Sequence, residues 1–154
     1  TPLPDDAAEL ELAGAPVTGE TRISELRGHR SWHLELEAEA LETTGGSDRW
    51  GLRIGDEPCH VDIDLTLSAS GTHLVVDRTT SRYARHGARR RVTASPSIRP
   101  RLEVLHDRSI TEIVVGDGDI VFTLRSFVPP GSSGATVRTD GILRLRSARA
   151  RPLD

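Results

Sequence analysis

Apolar and polar residues alternate with a period of two through much of this chain of 154 residues. In Trp32–Leu41 every second residue is apolar, and the residues between them are one histidine and three glutamates. Val61–Leu65 repeats the pattern, with His60, Asp62 and Asp64 on the opposite face. Because successive side chains of a β-strand point to opposite faces of the sheet, the alternation predicts strands with one buried and one solvated face.

Turn-forming residues separate the predicted strands. Gly116-Asp117-Gly118-Asp119 lies between two apolar runs and predicts a tight hairpin, because Asp-Gly supplies the positive φ that such turns require. No stretch keeps a helical period for three turns, and Ile23–Arg27 is expected to form one short turn. The other predicted strands are Glu9–Leu12, Trp50–Ile54, His73–Val76, Leu102–Leu105, Ile110–Val115, Ile120–Leu124 and Gly141–Leu145.

Many short strands about ten residues apart, with turn signals between them, predict an all-β fold. We expect a two-sheet antiparallel β-sandwich of the jelly-roll-like, or concanavalin-like, type. The length is typical of one domain, so we predict a single domain over residues 1–154 with its core over about 8–146. The first few residues and the tail after about Arg146 are expected to be linker-like ends.

The composition excludes several classes of function. All 20 basic residues are arginine, and the lack of lysine excludes a Walker-type phosphate loop and every lysine nucleophile. Cys59 is the single cysteine, so no internal disulfide can form. Cysteine usage therefore leaves the cellular compartment undecided, and secretion is preferred to the cytoplasm. The net charge of −3 argues against a nucleic-acid partner, and no apolar run is long enough to predict a membrane helix.

Common catalytic and metal-binding motifs are missing from the sequence. It contains no Gly-x-Ser-x-Gly, His-Glu-x-x-His, Cys-x-x-Cys or Gly-x-Gly-x-x-Gly pattern. The spacing His60-x-Asp62-x-Asp64 would place three metal-ligand types on one strand face. A solvated face is the preferred interpretation, because outward charged residues are usual on a one-sided sheet. We therefore predict neither a metal nor a cofactor.

Three aromatic residues are candidates for contact with a carbohydrate. Trp32 and Trp50 each begin an apolar strand, which favours core packing, and stacking on a sugar ring is the alternative. Tyr83 is the third candidate, and it lies in a stretch with five arginines within ten residues. We predict that these arginines dock on an acidic neighbouring domain, in preference to binding single-stranded nucleic acid. They are Arg82, Arg85, Arg89, Arg90 and Arg91.

Two segments of the chain echo each other. Asp77-Arg78 and Asp107-Arg108 each end an apolar strand and precede a hydroxyl residue. Two aspartates suggest the carboxylate pair of glycoside hydrolysis. An adjacent arginine would hold each aspartate ionised, however, so structural Asp–Arg pairs and strand-end caps are the preferred interpretation.

The second echo belongs to a longer signature. Leu105–Gly118 followed by Thr123–Phe127 resembles the pattern "vDrSsvEvFvndG…tsr.fp" of the C-terminal β-sandwich of glycoside hydrolase family 32. Upstream segments match in the same order, so the resemblance covers roughly residues 30–130. The sequence departs from the pattern at Val114, where the family has an aromatic residue, and at Gly116, where it has asparagine. The structural motif that the resemblance and the echo define comprises Asp77, Arg78, Asp107, Arg108, Ser109, Glu112, Asp117 and Gly118.

The resemblance implies a function as well as a fold. Members of the family cleave or transfer fructosyl units on a five-bladed β-propeller, with an Asp nucleophile, an Arg-Asp-Pro aspartate and a Glu-Cys acid. None of these motifs occurs here, and Cys59 follows Pro58. The resemblance therefore implies a non-catalytic accessory sandwich that packs on the catalytic propeller of its parent chain. The alternative is an independent module that binds fructan oligosaccharides, and an aromatic content of 3% counts against it.

Overall fold

The computed structural model describes residues 7–42, 48–56, 59–68, 71–78, 89–95, 97–125 and 134–154. These residues form β-strands and two short 3₁₀ helices, η1 (Glu11–Gly14) and η2 (Ser24–Leu26), the second within the predicted short turn. The all-β prediction is confirmed. The strands are β1 (Ala8–Glu9), β2 (Val17–Arg22), β3 (Ser31–Glu42), β4 (Arg49–Asp56), β5 (Cys59–Ser68), β6 (Gly71–Asp77), β7 (Arg89–Ala94), β8 (Arg101–Asp107), β9 (Ile110–Val115), β10 (Ile120–Arg125) and β11 (Ala135–Pro152).

Strand β11 joins the two layers of the molecule. The described strands form one antiparallel sheet in the order β10-β9-β8-β3-β11-β4-β5-β6-β7, with β1 and β2 also paired to β11. The first part of β11 pairs with β4 and β2, whereas Ile142–Pro152 pairs with β3. Shifts in register along β11 mark the irregularities at which such a long strand can bend. The first sheet, as we use the term, comprises β10, β9, β8, β3 and the second part of β11. The second sheet comprises β4, β5, β6, β7 and the first part of β11.

The hydrophobic core lies between these sheets. It collects the inward residues of nearly every strand, as the period-two pattern predicts. Trp32 is 0% exposed and Trp50 is 1% exposed, so both indoles belong to the core. Burying a large apolar side chain of this kind stabilises a fold by roughly 1.5–3 kcal/mol. Other large side chains with full burial include Ile23, Leu26, Leu34, Leu36, Leu52, Ile54, Ile63, Leu65, Leu74 and Leu102.

The predicted hairpin between β9 and β10 is confirmed. Val115 pairs with Ile120, which leaves residues 116–119 as the connecting loop. Gly116 has a φ of 69° and Gly118 a φ of 102°, both in the region that favours glycine. A Cβ atom on Gly116 would also displace the carboxylate of the exposed Asp119. Backbone conformation is therefore the main reason for glycine at position 116.

The prediction of a linker after Arg146 is wrong. Residues 147–152 continue β11 and pair with β3, and Ala148 and Ala150 are buried in the core. The segment alternates alanine with arginine, which gives little apolar signal because alanine is small. Small side chains nevertheless fit at these inward positions, since large residues of β3 fill the space beside them. No helix in the described ranges is long and apolar enough to cross a membrane.

Candidate functional site

The outer face of the first sheet carries a network of paired charges. Glu35 on β3 stands directly opposite Glu103 on β8, a pairing of like charges that would be destabilising alone. Arg101 resolves it, because its Nη2 donates to a carboxylate oxygen of Glu35 at 2.8 Å and of Glu103 at 2.7 Å. His33 Nε2 lies 2.7 Å from the other oxygen of Glu103, and Arg101 Nη1 donates to the carbonyl oxygen of Gly116. These contacts tie β3 to β8 and to the hairpin beyond it.

The pKa shifts of Glu103 and Arg101 indicate that this network stabilises the fold. Burial by itself would raise the pKa of Glu103, but hydrogen bonds with Arg101 and His33 outweigh that effect and lower it. Burial would lower the pKa of Arg101, and its hydrogen bonds to Glu35 and Glu103 raise it overall. A carboxyl group with a lowered pKa stays ionised near neutral pH, so Glu103 is unsuited to proton donation. The network can therefore position strands and neutralise charge.

The predicted motif residue Asp117 extends the paired charges to the edge of this face. Arg99 Nη1 lies 3.1 Å from Asp117 Oδ1, and Arg99 Nη2 pairs with Glu37. These contacts raise the pKa of Arg99, its hydrogen bond to Glu37 most of all. Gly118, the other motif residue in the hairpin, supplies a positive φ and lies in the exposed part of the loop.

Apolar side chains flank the charge network on the same face. Val121 is 62% exposed and Ile110 is 46% exposed, and Leu105 and Val114 are half-buried. Val121 stands opposite Val114, and Leu105 is diagonal to both Ile110 and Val114 across the β8–β9 pair. We call these four residues the apolar patch. Exposed apolar residues beside charges that are already paired are typical of a surface that buries itself against another protein.

Asp107 and Arg108 do not form the predicted pair with each other in the part of the chain that the structure describes. Asp107 accepts a hydrogen bond of 2.6 Å from the hydroxyl of Ser31 instead. Arg108 begins the two-residue turn between β8 and β9 with a φ of 56°, and its N–H donates to the carbonyl oxygen of Arg30. Ser109 completes the turn and is half-buried. Asp107 therefore acts as a hydrogen-bond acceptor at the end of β8, and Arg108 serves the turn through its backbone.

Asp77 and Arg78 sit in a different setting. Asp77 Oδ2 lies 4.0 Å from Nε of Arg89 on the neighbouring strand β7. Arg78 Nη1 donates to the carbonyl oxygen of Arg125 at 2.7 Å and so links the end of β6 to β10. Four strands separate β6 from β8 in the sheet order, so the echo in sequence is not an echo in environment. Glu112, the last motif residue, is exposed on the outer face of β9.

The structure also places the predicted carbohydrate contacts. No face of the Trp32 or Trp50 ring is exposed, so stacking on a sugar is wrong for both residues, and the preferred core packing holds. The Trp32 ring lies 5.2 Å from the ring of His106, centroid to centroid. Tyr83 lies outside the described residues, as do Arg82 and Arg85.

The charged face of β5 is covered rather than solvated. His60 and Asp64 are both buried, and Asp62 accepts two hydrogen bonds from Arg53. Arg138 on β11 lies 3.3 Å from Asp62 and 3.5 Å from Asp64. Burial raises the pKa of Asp64, and the charge of Arg138 opposes that shift. Arginine side chains therefore pair with the Asp62 and Asp64 carboxylates. The described residues contain no group of three or more potential metal ligands.

The cover of these two faces could not be predicted from the sequence. Strand alternation showed which residues point outward, but the partners of each carboxylate lie on strands far apart in sequence. His33 and Glu103, for example, are 70 residues apart. The only local signal is the spacing of Arg101 and Glu103, which places both on one face of a strand.

Comparisons with known proteins agree with this architecture. Residues 9–151 match the family model described as "Glycosyl hydrolases family 32 C terminal". No curated protein matches the sequence. Among solved structures, sucrose-6-phosphate hydrolase from Lactobacillus gasseri is 21% identical with a TM-score of 0.62, over 91% of this chain and 28% of that one. Exo-inulinase from Aspergillus awamori is 13% identical with a TM-score of 0.67, over 98% of this chain and 29% of that one.

A third match shows that the fold also occurs alone. Sheep galectin-11 is 13% identical with a TM-score of 0.51, over 88% of this chain and 97% of the galectin chain. This chain thus spans nearly all of a small lectin-type sandwich, but less than a third of each of the two enzymes.

Proposed function

Because this chain belongs to the family of C-terminal domains of glycoside hydrolase family 32, we propose that it is the non-catalytic accessory sandwich of a fructan- or sucrose-active enzyme. Its role is to pack on the catalytic β-propeller and stabilise it. The observation that carries the proposal is the match over residues 9–151, together with the span of less than a third of the enzymes that share the fold. The reading frame before Thr1 tests the partner directly, since it must encode a propeller with a carboxylate pair.

The outer face of the first sheet is the docking face in this proposal. Arg101 pairs with both Glu35 and Glu103, so covering these two carboxylates leaves neither of them without its partner, and Glu112 is an exposed carboxylate on this face that the propeller would have to meet. The apolar patch would lose exposed area on docking, at roughly 25 cal/mol for each Å² removed from water. Both properties lower the cost of burying this face against a neighbour.

A substitution on the apolar patch tests the docking face. In the enzyme that contains both domains, Val121→Asp places a charge in the interface and is expected to lower the melting temperature of the propeller. Thr18→Asp is the matched control, because Thr18 is also an exposed strand residue but lies on β2, which pairs with β11 and not with the strands that carry the apolar patch. If the two variants melt alike, a different face contacts the propeller. If removing the whole sandwich leaves the propeller's melting temperature unchanged, the stabilising role is wrong.

The independent fructan-binding module is the weaker alternative. It needs exposed aromatic rings, and two of its three candidate residues, Trp32 and Trp50, are buried in the core. Titration of the chain with inulin oligosaccharides distinguishes the two functions, because an accessory sandwich of the proposed kind binds none of them.

A further inference from the structure

The sheet has one gap, between its two end strands. β7 and β10 end the strand order, and no described strand pairs with their outer edges. A cleft of about 420 Å³ opens there, within the roughly 300–1,000 Å³ of typical small-molecule sites. Its floor is apolar, with Val76 and Leu124 buried and Phe122 half-buried.

The rim of the cleft is strongly basic. Four arginines line it, Arg78, Arg90, Arg91 and Arg125, and no carboxylate of the described residues does. Asp77 is close in sequence, but it pairs with Arg89, which is not among the lining residues. Four arginines lining one cavity concentrate positive charge there, and a bound anion would relieve the repulsion between them. This concentration of positive charge occurs in a chain whose net charge is −3.

One of the four arginines is held in place by the fold. Arg78 donates from Nη1 to the carbonyl oxygen of Arg125, which bridges the two edges of the gap. The bridge fixes the guanidinium of Arg78 at the cleft before any ligand arrives, which reduces the entropy lost on binding. The described residues offer no ion-pair partner to Arg90, Arg91 or Arg125, so their side chains are available to an anion.

We propose that this cleft binds a small organic phosphate. A guanidinium group can donate two parallel hydrogen bonds to a phosphate. Such charge-assisted hydrogen bonds are stronger than those between neutral groups. The carbon part of the ligand packs against Phe122 and the aliphatic floor. An inserted peptide strand does not fit, because Cα atoms of β7 and β10 approach within 8 Å of each other. A strand between them needs about 9.6 Å, twice the usual spacing.

The test titrates the 154-residue chain with three probes in low-salt buffer by isothermal calorimetry. The probes are phenyl phosphate, fructose 6-phosphate and inorganic phosphate. We expect at least one of the two organic phosphates to bind about tenfold more tightly than inorganic phosphate, because only they contact the apolar floor. Equal affinity for all three probes would reveal an adventitious ion only, and no binding would show that the arginines merely protect the open edges. Either result overturns the proposal.

Variants of β7 distinguish a specific site from non-specific attraction of anions to the basic residues. Arg90→Gln and Arg91→Gln each remove a charge from the cleft while keeping a long side chain, and both residues are exposed. Each is expected to weaken binding of the organic phosphate about tenfold. Arg89→Gln is the matched control on the same strand, and its affinity is expected to change less than about twofold, since Arg89 lies outside the lining. If Arg89→Gln weakens binding as much as the other two, the site does not exist.

Phe122→Leu tests the apolar part of the site. It should weaken binding of the organic phosphate and leave the affinity for inorganic phosphate unchanged, because a lone phosphate does not reach the floor. Equal weakening of both would contradict the assigned role of the ring. These measurements use the chain alone, so their failure is distinct from a failure of the propeller proposal.

Discussion

His106 should make the fold sensitive to acid. The residue lies on β8 with only 2% of its surface exposed, against the ring of Trp32. Its Nδ1 is 2.9 Å from the hydroxyl of Thr111. Burial lowers the pKa of His106 to about 4 from an ordinary 6.5, with the charge of Asp107 raising it and that of Arg30 lowering it further. The folded protein therefore holds this imidazole neutral through the mildly acidic range.

The sign and size of the effect follow from proton linkage. Between pH 6.5 and 4 the unfolded chain binds a proton at His106 that the folded chain does not, so stability falls as the pH falls. The contribution is fully present above pH 6.5 and is lost as the pH falls to about 4. A shift from 6.5 to about 4 corresponds to about 3 kcal/mol, at 1.36 kcal/mol for each pH unit.

Urea denaturation at several pH values between 7.5 and 4 measures this contribution as a slope. His106→Phe fills the same space without titrating, so it should reduce the loss of unfolding free energy across this range by about 3 kcal/mol. Thr111→Val is the control: it removes the hydrogen-bond partner, lowers stability at every pH and leaves most of the slope. If His106→Phe unfolds with the same pH slope as the parent, another group causes the acid sensitivity and the assignment is refuted.

Three further predictions concern the motif, the charge network and catalysis. Asp107→Ala should cost about 1 kcal/mol of unfolding free energy in urea, because it removes only the partly buried hydrogen bond from Ser31; a loss above 3 kcal/mol would indicate a buried ion pair instead. Arg101→Met should cost about 3–5 kcal/mol by the same assay, since it leaves the buried Glu103 facing the half-buried Glu35 without their shared partner; an unfolding free energy equal to the parent's would contradict the network's role. The chain alone should release no fructose from sucrose, inulin or levan, since it lacks the family's catalytic motifs, and measurable release would refute this.

Much of the fold could be predicted because strand alternation is a local property. The inward residues of Trp32–Ala38 and Val61–Leu65 lie in the core as the pattern indicates, and the hairpin of residues 116–119 forms where two glycines permit it. Ala40 departs from the pattern and is exposed, because the register of β3 against β11 shifts beside it. The signature around Asp107 identified the family for the same reason, since it spans one continuous hairpin. In each case a few adjacent residues carry the whole signal.

The candidate site could not be predicted in the same way, because it depends on contacts between distant strands. Alternation correctly placed Asp64 on an outward face, yet the residue is buried, since Arg138 lies against it from another strand. Glu103 is likewise buried, in contact with His33 of the neighbouring strand. A period-two pattern shows which face a residue occupies and contains no information about what covers that face.

The sequence by itself determined the strand faces, the turn glycines and the family of this protein. The tertiary structure alone decided how its charges are used. Asp77-Arg78 and Asp107-Arg108 are alike in sequence, but strand order brings Arg78 to Arg125 at the open edge and leaves Arg108 in a turn. The physical reason is that strand faces follow from the geometry of single residues, whereas an ion pair or a cleft needs two strands that only the folded chain brings together.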